Sequence, residues 1–338
     1  MSDDSTPQTT MLACVLNTHG ATPVVTTRPA PQPQSGRTLI EVACAPITPL
    51  DVMCASGTSR FGPPPVPYVP GVQGVGRVID SALFDVGALV WFQASAGMAP
   101  GDGAFRELTS IPDESVFLVP NGVPADSVAA LGLSAIAALM ALTWTGELQE
   151  GESVLVLGGG GPVGQSAIQI AQARRAARIV ALCRSDQSVE ASRAFGAVPV
   201  QLKDGESRAS LTARLSEAAG APVDLVLDTL WGEPAAAALG TMARFGRLVN
   251  LGSTAAESAT FTSEVLRGGA YQVRGYSNGD LSREQMAAAL DEISRLVVDG
   301  RLGVAANRVA LADFASAWTK TEAKFHAERQ VVVFEPSI

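Results

Sequence analysis

Apolar and polar positions follow two different rhythms along this chain. Between residues 11 and 123 the apolar residues come in short runs, at 11–16, 38–43, 74–79, 88–92 and 115–119. Prolines and glycines break these runs, most densely in 61–71, Phe-Gly-Pro-Pro-Pro-Val-Pro-Tyr-Val-Pro-Gly. Short runs bounded by such turn residues predict strands, and this many of them predict a small barrel. The rhythm changes at residue 124. Segment 126–145 is alanine-rich and apolar, which predicts a helix. Strands at 153–157, 179–183, 198–202, 223–228 and 246–251 then alternate with helices at 163–175, 187–195, 207–219 and 233–243. That alternation predicts right-handed strand–helix–strand units and a parallel, doubly wound sheet. Segment 270–276 is one further strand, at the sheet edge. Segment 282–299 is a long helix with Met286, Leu290, Ile293, Leu296 and Val297 on its apolar face, and 331–334 is a strand that returns to the first domain. The expected fold class is α/β: a β-barrel domain from 11–123 and 277–338, and a parallel-sheet domain from 124–276. Residues 1–10 are polar and acidic and are expected to be a disordered tail.

One stretch organises the second domain. Val154-Leu-Val-Leu157 suits a strand buried on both faces, and four glycines, Gly158 to Gly161, follow it. Pro162 falls at a first helical position, where its missing N–H costs nothing. Val163, Ala167, Ile170 and Ala171 then recur at helical spacing. Within this strand–turn–helix, Gly159, Gly161 and Gly164 fit G-x-G-x-x-G. In a dinucleotide site those glycines serve the tight turn, the approach of backbone to pyrophosphate and the close packing of helix on strand. The alternative is a structural glycine turn. The next strand points to the cofactor. An NAD site places Asp or Glu at its end to hold the ribose 2′-hydroxyl. Here that place is near Cys183, followed by Arg184 and Ser185. A guanidinium and a hydroxyl suit a 2′-phosphate, hence NADP(H), unless Arg184 is simply an exposed loop residue beside Asp186.

Composition narrows the reading further. A chain of 338 residues with 47% hydrophobic residues fits two domains with sizeable cores. A net charge of −9 with no basic cluster argues against nucleic acid and anionic membrane surfaces as partners. No apolar run approaches the roughly 18 residues of a spanning helix, so no membrane segment is expected. The N-terminus lacks the features of a signal or transit peptide. Cys14, Cys44, Cys54 and Cys183 are far apart and read as reduced thiols of a cytoplasmic protein.

A β-rich domain, an inserted nucleotide-binding domain and a return to the first domain resemble the medium-chain dehydrogenase/reductase superfamily over nearly the whole chain after Met11. Matching segments are Ala45-Pro-Ile-Thr-Pro-Leu-Asp-Val52, Ser56-Gly-Thr58 with Pro67-Tyr-Val-Pro-Gly71, the helix from Val163 to Ala171, Val223-Asp-Leu-Val-Leu-Asp-Thr229 and Gly246-Arg-Leu-Val-Asn-Leu-Gly252. The likeness is strongest to the zinc-free quinone oxidoreductases of the zeta-crystallin type, and Arg184 also resembles the enoyl thioester reductases. It implies a GroES-like catalytic domain beside a Rossmann domain. Zinc-dependent members carry Gly-His-Glu where this chain reads Gly71-Val-Gln-Gly74, with neither imidazole nor carboxylate. The histidines, His19 and His326, lie elsewhere, and no four-cysteine lobe is present, so no metal site is expected.

The resemblance implies hydride delivery from NADPH to a small electrophile, a quinone or an α,β-unsaturated carbonyl. A donor is then needed for the oxygen that gains charge. Relatives place Asn where this chain has Thr48, and a tyrosine just after the Ser-Gly-Thr segment, where this chain offers Ser59 or Phe61. Tyr68 belongs to the following turn, and a Thr-Ala-Tyr-like run is replaced by Ile136-Ala-Ala-Leu139. Thr48 and Ser59 are the candidate catalytic residues, Thr48 being also expected by its position to lie near the nicotinamide of the cofactor, with a structural loop serine the competing reading of Ser59. Leu251, Gly252 and Ser253 close the fifth strand, where the nicotinamide is expected, although Gly252 also suits an ordinary strand-to-loop turn. Lys324 stands where relatives often place a basic residue near the cofactor, or is a solvated helix lysine. Two other functions stay open: reduction of a carrier-bound enoyl thioester, and NADPH binding without catalysis. The exposed edge expected at 270–276 and the resemblance together imply a homodimer.

Overall fold

The computed structural model describes residues 9–323 and 328–334. Lys324, His326 and residues 1–8 of the expected tail lie outside the described residues. The chain forms two compact units, one from 1–132 and 305–338, the other from 133–304.

The first unit begins with an antiparallel ribbon of β1 (Thr10–Val15) and β2 (Val24–Pro29). The expected tail is therefore ordered by Thr10. β3 (Arg37–Pro46) leads into the short helix α1 (Pro49–Ser56), and β4 (Gln73–Asp80), β5 (Leu89–Gln93), β6 (Leu108–Pro112) and β7 (Val116–Leu118) follow. α2 (Ala125–Met140) runs on into a π-helical turn, Ala141–Thr145. It is broken at Gly132, with φ 29 and ψ −126, because a Cβ there would lie 2.0 Å from Gln73 Oε1. The helix from Ala125 to Thr145 is long and apolar enough to cross a bilayer by length and composition, contrary to expectation. Its apolar window is 61% buried inside the protein, so packing accounts for that composition.

The second unit alternates β8 (Ser153–Leu157), α3 (Pro162–Ala173), β9 (Arg178–Cys183), α4 (Asp186–Ala194), β10 (Val198–Gln201), α5 (Arg208–Ala219), β11 (Val223–Asp228), α6 (Gly232–Leu239) and β12 (Met242–Asn250). α7 (Ser263–Gly269), β13 (Gln272–Gly275) and α8 (Arg283–Val298) complete it. All six strands are parallel, in the order β10-β9-β8-β11-β12-β13. The strand order reverses between β8 and β11, and a ligand binds outside the carboxyl ends at such a switch point. β8 is buried on both faces, as its unbroken apolar run requires: Val154 to Leu157 are all at 0% exposure. α8 belongs to this unit rather than to the first. Arg174 pairs with its Glu292 at 2.6 Å, and Gln169 Nε2 donates to Gly303 O at 2.7 Å. The units therefore divide at 132/133 and 304/305, not at 123/124 and 276/277. The last strand is also shorter than expected. Ala270, at φ 51, and Tyr271, whose N–H bonds Leu266 O, finish α7 instead.

β14 (Ala306–Ala310), α9 (Phe314–Ala323) and β15 (Arg329–Val333) return the chain to the first unit. Its mixed sheet has the order β14-β15-β3-β4-β5-β7, with β6 also on β3. Phe105, Phe314 and Trp318 anchor its core, with ring centroids 5.0–6.4 Å apart.

Candidate functional site

The glycines after β8 differ in what surrounds them. Gly158 has φ 97, and a Cβ on it would meet Thr229 Oγ1 at 2.3 Å. A Cβ on Gly159 would meet Ala181 Cβ at 2.8 Å, and one on Gly160 would meet Ser188 Cβ at 2.5 Å. A Cβ on Gly164 would sit 2.1 Å from Gly158 O, so this glycine lets α3 lie against the turn. Around Gly161 only Gly158 O comes within reach, at 4.0 Å. Gly161 is the N-cap of α3 and Pro162 its first residue. The N–H groups of Val163 and Gly164 point along the axis with no partner inside the helix. Gln165 Nε2 braces the turn by donating to Gly160 O at 2.8 Å. The result is an open, electropositive helix end behind a glycine turn, suited to a pyrophosphate.

β9 ends beside this turn at the buried Cys183, whose thiol burial pushes up. No carboxylate stands at the strand end. Arg184 is exposed, and its guanidinium makes no ion pair among the described residues. Ser185 is the N-cap of α4: its Oγ accepts from Ser188 N at 3.2 Å and donates to Ser188 Oγ. Asp186 accepts from Gln201 Nε2 at 2.9 Å.

At the carboxyl ends of β11 and β12 the sequence reading overlooked three residues. Asp228 is fully buried, and burial pushes its carboxyl up while three donors offset that. It accepts from Leu230 N and Trp231 N, both at 2.9 Å, and from Asn250 Nδ2 at 3.0 Å. Thr229 donates its hydroxyl to Leu157 O at 2.8 Å, joining β11 to β8. A Cβ on Gly252 would lie 3.0 Å from Thr229 O. Leu251, Gly252 and Ser253 are thus linked to the glycine turn through Thr229. Ser253 Oγ donates to Glu257. Trp231 adopts φ 60 and ψ −165. The buried Asp at a strand end was readable in Val223-Asp-Leu-Val-Leu-Asp228; the dihedrals of Trp231 were not.

In the first unit Thr48 does not offer a free donor. It is the N-cap of α1, and its hydroxyl gives its proton to Asp51 Oδ2 at 2.6 Å. Asp51 also accepts from Thr48 N at 2.8 Å, Gly71 N at 3.1 Å and Val72 N at 2.8 Å. Thr48 therefore caps α1 and holds a loop, a role its sequence reading did not include. Burial pushes the Asp51 carboxyl up and lowers the Arg329 guanidinium to about 10, with the two charges attracting across the core. Gln73, in the segment where zinc enzymes carry histidine, is buried and accepts from Trp91 Nε1 at 3.0 Å. No group of three or more His, Cys, Asp or Glu residues among those described is arranged to hold a metal. The Ser59 hydroxyl is buried beside Cys54 and has no well-directed hydrogen-bond partner among the described residues. The Tyr68 hydroxyl is also unpaired there, and burial raises its pKa.

Residues 162–295 match the family model described as zinc-binding dehydrogenase. That span contains no histidine and one cysteine, Cys183. Human mitochondrial enoyl-[acyl-carrier-protein] reductase is 26% identical over 311 residues, 87% of this chain and 80% of that protein. Mouse prostaglandin reductase-3 is 27% identical over 238 residues, 70% of this chain and 60% of that one. A hybrid PKS-NRPS synthetase from Aspergillus violaceofuscus is 30% identical over 247 residues; the match covers 71% of this chain but only 6% of the synthetase. Among solved structures, a mycobacterial quinone oxidoreductase superposes with TM-score 0.84 at 23% identity, over 96% of this chain and 100% of that one. A mycobacterial protein solved with NADPH gives TM-score 0.83 at 22% identity, with the same coverage. At those identities the structural likeness speaks for the fold. Together with the parallel sheet, its glycine turn and the separate mixed sheet, these matches show that the chain has the two-domain fold of the medium-chain dehydrogenase/reductase proteins, and its residues 162–295 carry their dehydrogenase match.

Proposed function

We propose that this protein is an NADPH-dependent oxidoreductase that reduces a quinone or an α,β-unsaturated carbonyl without a metal, in the zinc-independent quinone oxidoreductase branch of its superfamily. One observation carries the reading. An open glycine turn at Gly161 meets a strand end with no carboxylate and an unpaired guanidinium at Arg184. The residues present fit a phosphorylated dinucleotide. Val163 and Gly164 N–H groups would take the pyrophosphate, Arg184 the 2′-phosphate with Ser185 beside it, and the backbone of Gly252 the nicotinamide side. When bound, the reduced nicotinamide supplies a hydride. Of the two candidate donors in the first unit, the Thr48 proton is held by Asp51, and Ser59, whose buried hydroxyl lies beside the Cys54 thiol, is the one favoured as proton donor. The buried thiols, with no disulfide, suit a reducing cytoplasm. The protein acts as a homodimer through the edge of its parallel sheet.

The names of the relatives support this class, and the long match to an enoyl reductase supports a second reading, reduction of an enoyl thioester. Turnover of NADPH against quinones, enones and a crotonyl thioester separates the two, and no turnover with any of them favours binding without catalysis. NADPH should bind at least about tenfold tighter than NADH, because a charge-assisted contact to the 2′-phosphate is worth ~1.5–3 kcal/mol. Arg184→Ala should remove most of that preference in calorimetric titration. Equal affinities in the unmodified protein would sink the assignment.

A further inference from the structure

The turn after β11 holds a large side chain in a backbone conformation that belongs to glycine. Trp231, at φ 60 and ψ −165, occupies a region essentially reserved for glycine. Such strain persists only where the surroundings over-determine it. Three sets of contacts do so. Asp228 Oδ1 takes the N–H groups of Leu230 and Trp231. The indole meets the Phe261 ring edge-on, with centroids 5.4 Å apart and planes at 90°. The backbones then fasten together: Leu230 O accepts from Ala255 N at 2.8 Å, and Thr229 O accepts from Thr254 N at 3.2 Å and from its Oγ1 at 2.9 Å. A Cβ on Gly232 would lie 2.8 Å from Ala256 Cβ, so the two segments touch along their length.

The fastened segment begins with Gly252 and Ser253, and the turn it is fastened to touches the glycine turn. A Cβ on Gly158 would meet Leu230 Cδ2 at 3.4 Å as well as Thr229 Oγ1. The carboxyl ends of β8 and β11 are the two sides of the switch point. We infer that Trp231 is a positioning residue: strained into a glycine conformation and locked on Phe261, it holds the 252–261 segment in place beside the dinucleotide-binding turn. The inference rests on the cofactor reading above. Its consequence is preorganisation. A segment already ordered in the free protein adds no ordering penalty when the dinucleotide binds. Arg184 stands at the end of β9, on the far side of β8 from this clamp. Loosening the clamp therefore weakens NADPH and NADH by the same factor.

The test uses the full chain with Trp231→Gly, Trp231→Phe and Phe261→Ala. Glycine accepts the backbone of position 231 without strain, so Trp231→Gly removes the indole and not the turn. Calorimetric Kd values for NADPH and NADH are measured with hydrogen exchange across 251–257. Trp231→Gly and Phe261→Ala are expected to raise both Kd values about tenfold, with their ratio unchanged. Amides of 252–257 should exchange faster while those of β8 and β9 do not, and Trp231→Phe should restore most of the affinity. Unchanged Kd values, or unchanged exchange in 252–257, overturn the inference. If Trp231→Gly does not fold, Phe261→Ala, which leaves the backbone of 231 untouched, decides alone. A parent protein that binds neither dinucleotide overturns the proposed function instead, and the exchange measurement still judges the clamp.

Discussion

A single methyl group distinguishes two of the glycines in the turn after β8. At Gly164 it would be driven to 2.1 Å from Gly158 O, and the helix would have to retreat from the strand. At Gly161, with φ −80 and ψ 164, an alanine fits the backbone and finds nothing nearer than 4.0 Å. On the proposed cofactor reading, that space is the one the pyrophosphate would occupy. Gly164→Ala should lower stability by about 1–3 kcal/mol in denaturant unfolding, as overpacking does. Gly161→Ala should unfold like the parent protein yet bind NADPH at least about tenfold more weakly, a loss of ~1.4 kcal/mol or more. A clear stability loss at Gly161 would show that the turn is closed there. At this scale the sequence was most legible where chemistry is local. The strand–glycine turn–helix was read from spacing alone, and the structure has that turn between β8 and α3. The capping role of Thr48 was missed although its signal was present: Thr48-x-x-Asp51 is a capping pattern, and the structure uses it as one. Trp231 carries no such signal, because its conformation is imposed by Asp228 and Phe261, the latter 30 positions away in the chain.

Among the elements, α1 shows how a short helix is held when its own residues contribute little. It has eight residues, so propensity alone would not sustain it. Its N-terminus is fixed by Asp51, which closes the capping box and also receives Gly71 N and Val72 N from the segment entering β4. One buried carboxylate therefore ties helix to strand and faces the charge of Arg329. Asp51→Ala leaves several buried donors without an acceptor and should lower stability by about 3 kcal/mol or more, read as a shifted urea midpoint. A loss under ~1 kcal/mol would mean that water replaces the carboxylate. The same element explains what pattern reading missed. α1 begins at a proline and buries four residues without a clear stripe, and β2 is exposed at five of its six positions, so neither shows a hydrophobic period. The strands and helices around β8, β9 and β11 were legible because burial on both faces leaves long apolar runs. Boundaries failed where the chain changes direction without a turn signal. α6 ends at Leu239 and β12 starts three residues later at Met242, where a helix to 243 was expected.

For the whole molecule, the open question at the sheet edge is what meets β13. It is the last strand of the parallel sheet and, among the described residues, is paired on one side only, to β12. Val273 is 42% exposed, and Gln272 and Gly275 are exposed. Trp144, also exposed, packs on Tyr276 just beyond the strand with ring centroids 6.4 Å apart. An edge that offers unpaired N–H and C=O groups beside apolar surface invites a further strand. A second copy related by a twofold axis satisfies both edges at once, with no surface left over for a third. The register says which groups would take part. Tyr276 N donates to Asn250 O, towards β12, so by the alternation of a strand Val273 and Gly275 direct their N–H groups outward. Proline at 273 would therefore remove a donor from the outer edge and leave the β12 ladder its own donors. The expected outcome is a dimer for the parent protein at micromolar concentration in light scattering, and a shift towards monomer for Val273→Pro with an unchanged thermal midpoint. Gln272→Ala, which keeps the backbone donor, should stay dimeric. A monomeric parent protein would refute the assembly. A Val273→Pro dimer as tight as the parent would move the interface off this edge, leaving β13 short enough, at four residues, to stay unpaired without aggregating.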